Sequence, residues 1–378
     1  MDNIKNILNG VIVLKKITLI AIVFLIIILA FFFTVLPLVG CNNTTSKQLN
    51  IYVWEGYLPD TAATLFEKET GIKLNVTFIT DNDQMLTLLR GGGSADIVMP
   101  TQSEVNRFYE ADVAQPLDLK NITNYEKVFK SLKEQFWAKW DGKQMGSGEI
   151  YVIPYVYGTS GLIINTSKYT KSLDDIGWEI LFDTDLKGRV ATRSYLPSLW
   201  LTCYSCDIPL ESIITDGQGT MDKVRDKVIA LRNNVLKFCD TNAEIIDLLK
   251  NEEVWVSYIE DGGGRSLSQF DAKFKYILPK TGGMAFTDTF MIPKNAANPE
   301  GAYLFIDFML RPNIAAMLTE QTGYATAVEG ALGLVKGIDK DLYELTEEEM
   351  AKLKWSPNLP QELRSIYMAF WEEMTTVQ

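Results

Sequence analysis

The chain contains no histidine among its 378 residues. That absence removes the general base of Ser-His-Asp and Cys-His catalysis and the imidazole ligands of the usual metal sites. Positive charge is also short, with 36 Lys and Arg against 48 Asp and Glu, a formal net charge of -12. Phosphate backbones are held by clustered cations, so a nucleic-acid partner is excluded, whereas an acidic exterior weakly attracts cationic ligands. Cysteine is scarce. "CYSC", with Cys203 and Cys206, sits in the apolar, helix-like stretch "SLWLTCYSCDI" and has no fourth ligand for zinc, so buried thiols or one disulfide with Cys239 are expected. The glycine clusters 90–94 and 261–265 lack the Lys-Ser/Thr that completes a phosphate loop and read as close turns. No cofactor, no metal and no catalytic residue is expected.

What is present begins with a long apolar run. Lys15 and Lys16 precede "ITLIAIVFLIIILAFFFTVL", which is long enough to cross a bilayer. It ends in Leu38-Val39-Gly40-Cys41, which resembles the lipobox of bacterial lipoproteins, and the polar stretch "NNTTSKQ" follows. Residues 1–40 are therefore read as a signal peptide, Cys41 as the lipidation site, and 41–48 as a lipidated tether to the membrane. An uncleaved anchor is the alternative. Either way the remainder is exported and extracytoplasmic.

Past the tether, "QLNIYVWEG" reads as a strand, and Asp60 is placed to cap a helix that Gly71 stops. "IKLNVTFIT" alternates as a second strand, "DNDQMLTLLRGGGS" is a capped helix, and "ADIVMPT" is a buried third strand. Strand, helix, strand, helix, strand predicts a parallel sheet, whose ligands lie beyond the carboxyl ends of the strands. Trp54, Glu55, Tyr57 and Thr101 all stand just past such ends. Further on, "YVIPYVYGTSGLIINTSKY" predicts a strand leaving one domain for another. "VWVSYIEDGGGR" predicts a strand and a glycine-rich turn, and the stretch around "TGG" two more strands. A helix pair follows, capped by Asn298 with Pro299 in its first turn and divided by Pro312. An amphipathic C-terminal helix is expected to pack on a lobe.

Five segments then carry a resemblance: "VWEGYLPDTAATLFEKETGIKLNV", "ADIVMPT", "IPYVYGTSGLIIN", "PKTGGMAFTDTFMIPKNAANPEGA" and "FMLRPNIAAMLTEQTGYATA". In this order and over residues 49 to the end, the chain resembles the periplasmic spermidine/putrescine-binding proteins of polyamine ABC transporters. The resemblance implies an α/β fold of the type II periplasmic binding class, two α/β lobes joined by hinge strands. Lobe one would hold 49–157 and 286–328, and lobe two 158–285 and 329–378. It implies a polyamine or related amine as ligand and an ABC permease as partner; a sensor lipoprotein of the same fold is the alternative.

By the family's motifs, Trp54 and Tyr57 match aromatic walls and Thr101 a hydroxyl that bonds the amine. Tyr258 and Asp261 of "YIED" match a ring and a carboxylate in lobe two. Phe286 and Asp288 match the hinge aromatic and the amine-binding acid, and Tyr324 lines the same cleft. Glu55, beside Trp54, is a further candidate. One departure stands out. Where family members carry an acidic pair, this chain has "GRVATRSYLPSLW" with Arg193 and no acid. An arginine there repels a second ammonium. The ligand would then have one amine at the Asp288 end, or a carboxylate toward Arg193. Otherwise Arg193 faces solvent or pairs with Asp261.

Overall fold

The computed structural model describes residues 48–337, Tyr343 and residues 352–376. The expected signal peptide, the expected lipidation site Cys41 and most of the expected tether lie outside the described residues. Among the described residues no helix is long and apolar enough to cross a membrane.

The strand signals at the start fold as read. β1 (Gln48–Trp54) pairs in parallel with β2 (Lys73–Ile79), from Gln48 opposite Lys73 to Trp54 opposite Ile79. The helix Asp60–Thr70 connects them, burying Ala62 and Phe66 and ending at Gly71 in the left-handed conformation. Asp60 begins that helix but makes no cap bond; the cap position belongs to Pro59, so the expected Asp60 cap is corrected. Asp81 caps the helix Asn82–Arg90 by accepting from the Gln84 amide at 2.7 Å. β3 (Ile97–Val98) then pairs with the other side of β1. β2 is the sheet edge, which is why Phe78 is left 59% exposed.

A small hairpin of β4 (Lys139–Trp140) and β5 (Glu149–Ile150) precedes β6 (Val152–Asn165), a 14-residue strand at the centre of the molecule. β7 (Val190–Arg193), β8 (Val235–Cys239), β9 (Val256–Glu260), β10 (Phe274–Ile277) and β11 (Met284–Met291) follow. Short β12 (Ala325–Thr326) and β13 (Lys354–Trp355) complete one eleven-stranded sheet. Its main order is β2-β1-β3-β11-β6-β9-β7-β8. Pro154 is tolerated inside β6 because the register with β11 slips there: Asp288 faces Val156 and Thr289 faces Pro154, leaving Tyr155 as the extra residue.

β6 supplies two separate cores. Its first half sends Ile153, Tyr155 and Val156 into a core with Phe66, Phe290 and Phe305. Its second half sends Leu162 and Ile164 into another with Trp178, Leu199 and Val228. Each such ring or aliphatic chain, withdrawn from water, contributes about 1.5–3 kcal/mol toward its own core. The C-terminal helix Gln361–Thr376 buries Tyr367, Phe370 and Trp371 in the second core. The glycine-rich turn expected at 261–265 is instead the first turn of the helix Asp261–Phe270. Cys203 and Cys239 are buried and Cys206 is exposed, all three free, which corrects the expectation of three buried thiols or a Cys239 disulfide.

Candidate functional site

A cleft of about 680 Å³ opens between the two cores, lined from both. On the first side the turn after β1 decides which way its side chains point. Gly56, at φ +84°, takes the left-handed conformation that lets the Tyr57 amide donate to the Trp54 carbonyl at 3.1 Å. Trp54 and Tyr57 thereby face the cleft, and Glu55 between them is exposed, outside the cleft lining. The Trp54 Nε1 is buried and has no hydrogen-bond partner among the described residues. The Tyr57 ring lies 5.7 Å from that of Tyr324, which meets the Phe286 ring edge-on at 5.8 Å. Three rings thus make a contiguous wall of the kind that packs methylene groups and faces a cation.

At the foot of this wall stands Asp288, only 5% exposed. Thr101 Oγ1 donates to one carboxylate oxygen at 2.7 Å and the Tyr57 hydroxyl to the other at 3.0 Å. Burial pushes the Asp288 carboxyl up to about 6, against the pull of those two hydrogen bonds and with a further push from the Glu260 charge. Among the described residues no cation pairs with Asp288. An acid poised near neutrality in a cleft, with donors but no counter-ion, is arranged to receive a positive group.

The second side is built from the carboxyl ends of β7 and β9, parallel neighbours in the sheet. Arg193 ends β7 and Glu260 ends β9; the guanidinium donates to both Glu260 oxygens at 3.1 and 3.2 Å. Burial pulls the guanidinium's basicity down, and Glu260 first, with Tyr258, Tyr324 and Asp240 after it, together more than offset that pull. Arg193 therefore lines the cleft and pairs with Glu260, not with Asp261 as the sequence left open. Tyr258 also lines the cleft, its hydroxyl donating to Ser160 Oγ at 2.8 Å and its ring stacked 6.0 Å from Trp178.

Asp261 is placed elsewhere. Its side chain is 1% exposed and accepts from the Thr159 amide at 3.0 Å, while Arg265, one helical turn on, pairs with it at 2.9 Å. It does not line the cleft. The carboxylate that does is its neighbour Glu260. Strand residues alternate faces, so Tyr258 and Glu260 share one. That period-two spacing was readable in "YIE" and would have selected Glu260. The cleft rim holds a second group that sequence reasoning missed. Arg364, from the C-terminal helix, lies 3.3 Å from Asp83 and 3.7 Å from Glu104, and Arg107 pairs with the same two acids. Among the described residues no cluster of acids or cysteines is arranged to hold a metal.

The profile of the bacterial extracellular solute-binding proteins matches residues 61–341, and the chain belongs to that family. Over 353 residues it is 28% identical to the putrescine-binding periplasmic protein SpuD of Pseudomonas aeruginosa, covering 87% of this chain and 92% of that one. It is 27% identical to the putrescine-binding periplasmic protein PotF of Escherichia coli over 314 residues, 79% and 82% of the two chains. A solved structure described as a putative spermidine/putrescine ABC transporter from Listeria monocytogenes superposes with a TM-score of 0.75 at 27% identity. That match spans 88% of this chain and all of the other. The fold is that of the periplasmic binding proteins, as the resemblance implied.

Proposed function

We propose that the chain captures a polyamine, or a related amine, in the cleft outside the cytoplasmic membrane and delivers it to an ABC permease. One observation carries the reading: a buried carboxylate, Asp288, held by two hydroxyls and, among the described residues, no cation, at the foot of a wall of Tyr57, Tyr324 and Phe286. The names of the relatives support the choice of amine. Trp54, Tyr57 and Phe286 would hold the methylenes, Thr101 and Asp288 the ammonium, and Tyr324 would close the wall.

Capture would involve closure about the strands shared by the two cores, near Gly158 to Gly161 and Gly282 to Asp288. Residues 49–157 and 286–328 would move against 158–285 and 329–378, with ligand contacts holding the closed form. Lipid at Cys41 would keep the protein at the membrane surface. Calorimetry of the full chain in mild detergent against putrescine, spermidine and spermine tests the ligand. Micromolar or tighter binding, lost in Asp288→Ala, is expected; silence from every polyamine overturns the reading. Mass spectrometry of the mature N-terminus tests the lipid.

A further inference from the structure

The carboxylates around the cleft differ in one respect that bears on ligand charge. Glu260 carries Arg193 at 3.1 Å, and Asp261, behind it, carries Arg265 at 2.9 Å. Asp83 and Glu104 at the rim share Arg107 and Arg364. Two further acids of the cleft, Asp81 and Asp240, are exposed to water. Asp288 alone is both buried and without a guanidinium of the chain's own among the described residues.

We infer that the buried part of the cleft seats one ammonium group, at Asp288, and that Arg193 excludes a second by occupying Glu260. The inference rests on the amine-binding reading and narrows it. One ammonium neutralises Asp288, and the Arg193–Glu260 pair is already neutral. Asp288 stands opposite Val156 and Glu260 opposite Ser160, on the two strands that flank β6, and the Glu260 charge is felt at Asp288, so the pair faces the tail of a short diamine whose head sits at Asp288. A second ammonium arriving there would face a guanidinium in a partly desolvated site, where like charges repel strongly. A polyamine therefore enters end-on, its remaining ammonium groups in the solvated outer cleft near Asp81 and Asp240.

The test compares two amines of equal length that differ only in the charge of the tail, putrescine and 4-aminobutan-1-ol, by calorimetry of the full chain in detergent. In the native chain their affinities are expected to agree within about tenfold, and in Arg193→Gln, which frees Glu260, putrescine is expected to lead by more. Glu260→Gln supplies an independent arm: it leaves Arg193 uncompensated and should lower putrescine further than the amino alcohol. Putrescine leading by more than about tenfold in the native chain, or a ratio that neither variant moves, overturns the inference while leaving amine binding intact. 4-Aminobutanoate binding more tightly than both would also overturn it, making Arg193 a carboxylate receptor. Heat from none of the three overturns the amine reading itself.

Discussion

Thr101 Oγ1 lies 2.7 Å from Asp288 Oδ1 and donates to it, joining the first strand group of the sheet to the central strand β11 at the point where their ladder ends. A hydrogen bond to a carboxylate favours its charged form. Thr101→Val keeps the shape and removes the donor. It should weaken an amine ligand by about 1.5 kcal/mol and raise the Asp288 carboxyl further, both readable by calorimetry across pH. An affinity unchanged from the native chain would separate Thr101 from the site.

Amine affinity should fall on acidification. The free Asp288 carboxyl titrates near 6 and faces Thr101, Tyr57 and the charge of Glu260. An ammonium binds the carboxylate, so below that value the proton must leave first, and affinity should drop by about tenfold per pH unit. Above it the profile should be flat. Binding heats in buffers of different ionisation enthalpy, measured at pH 5, 6 and 7, check the proton release.

Asp288→Asn should stabilise the unliganded protein while abolishing binding. The native-state carboxyl, at about 6, lies above its ordinary 3.8, so the ionised form is disfavoured by folding. That penalty is absent below about 4, grows through the window up to 6, and is complete at neutral pH, where it is on the order of 3 kcal/mol. Thermal unfolding should therefore show a higher Tm for the variant at pH 7.5 and no advantage at pH 3.5. Equal curves at both values would refute the argument.

Arg364→Ala should loosen the C-terminal helix from the rim. The helix is anchored in the second core, whereas Asp83 and Glu104 belong to helical elements that pack Met85, Leu86, Val105 and Phe108 beside β1 and β3. Arg364 is 16% and Glu104 13% exposed, so the ion pairs are partly shielded from solvent. A loss of about 1 kcal/mol is expected at low ionic strength, narrowing in roughly 1 M salt. Unfolding in guanidine-free urea, with and without added sodium chloride, measures it. A difference that salt does not reduce would assign Arg364 to packing instead.

Much of the fold was legible because it rests on local rules. The alternation of β1 and β2, the Asp81 and Asn298 caps and the Gly71 stop are written in adjacent residues. The Asp60 cap failed for a local reason too: Pro59 already supplies the extended entry, and the helix begins one residue earlier. The site was harder to read because its charges are settled by partners far apart in sequence. Arg193 meets Glu260 across 67 positions, and no spacing near "GRVATRSYLP" announces it. Asp261 was named as a cleft acid because sequence cannot display that Arg265, four residues on, claims its carboxylate inside a helix that three consecutive glycines argued against. Arg364, 281 positions from Asp83, lay beyond any local signal.

The place of β11 in the sheet bears on how the chain is made. In the order β2-β1-β3-β11-β6, the strand that fills the gap between β3 and β6 is Met284–Met291. A nascent chain that has emerged only through β10 holds both neighbours with open hydrogen-bonding edges, and such edges recruit foreign strands. The first core also waits for Phe290 and Phe305. The amino-terminal half therefore cannot settle as an independent unit during synthesis, and the slow, long-range pairing step comes late. A polypeptide of this topology stays pliable until nearly all of it has been delivered, which is the condition under which an unfolded chain can be threaded across a membrane before it locks.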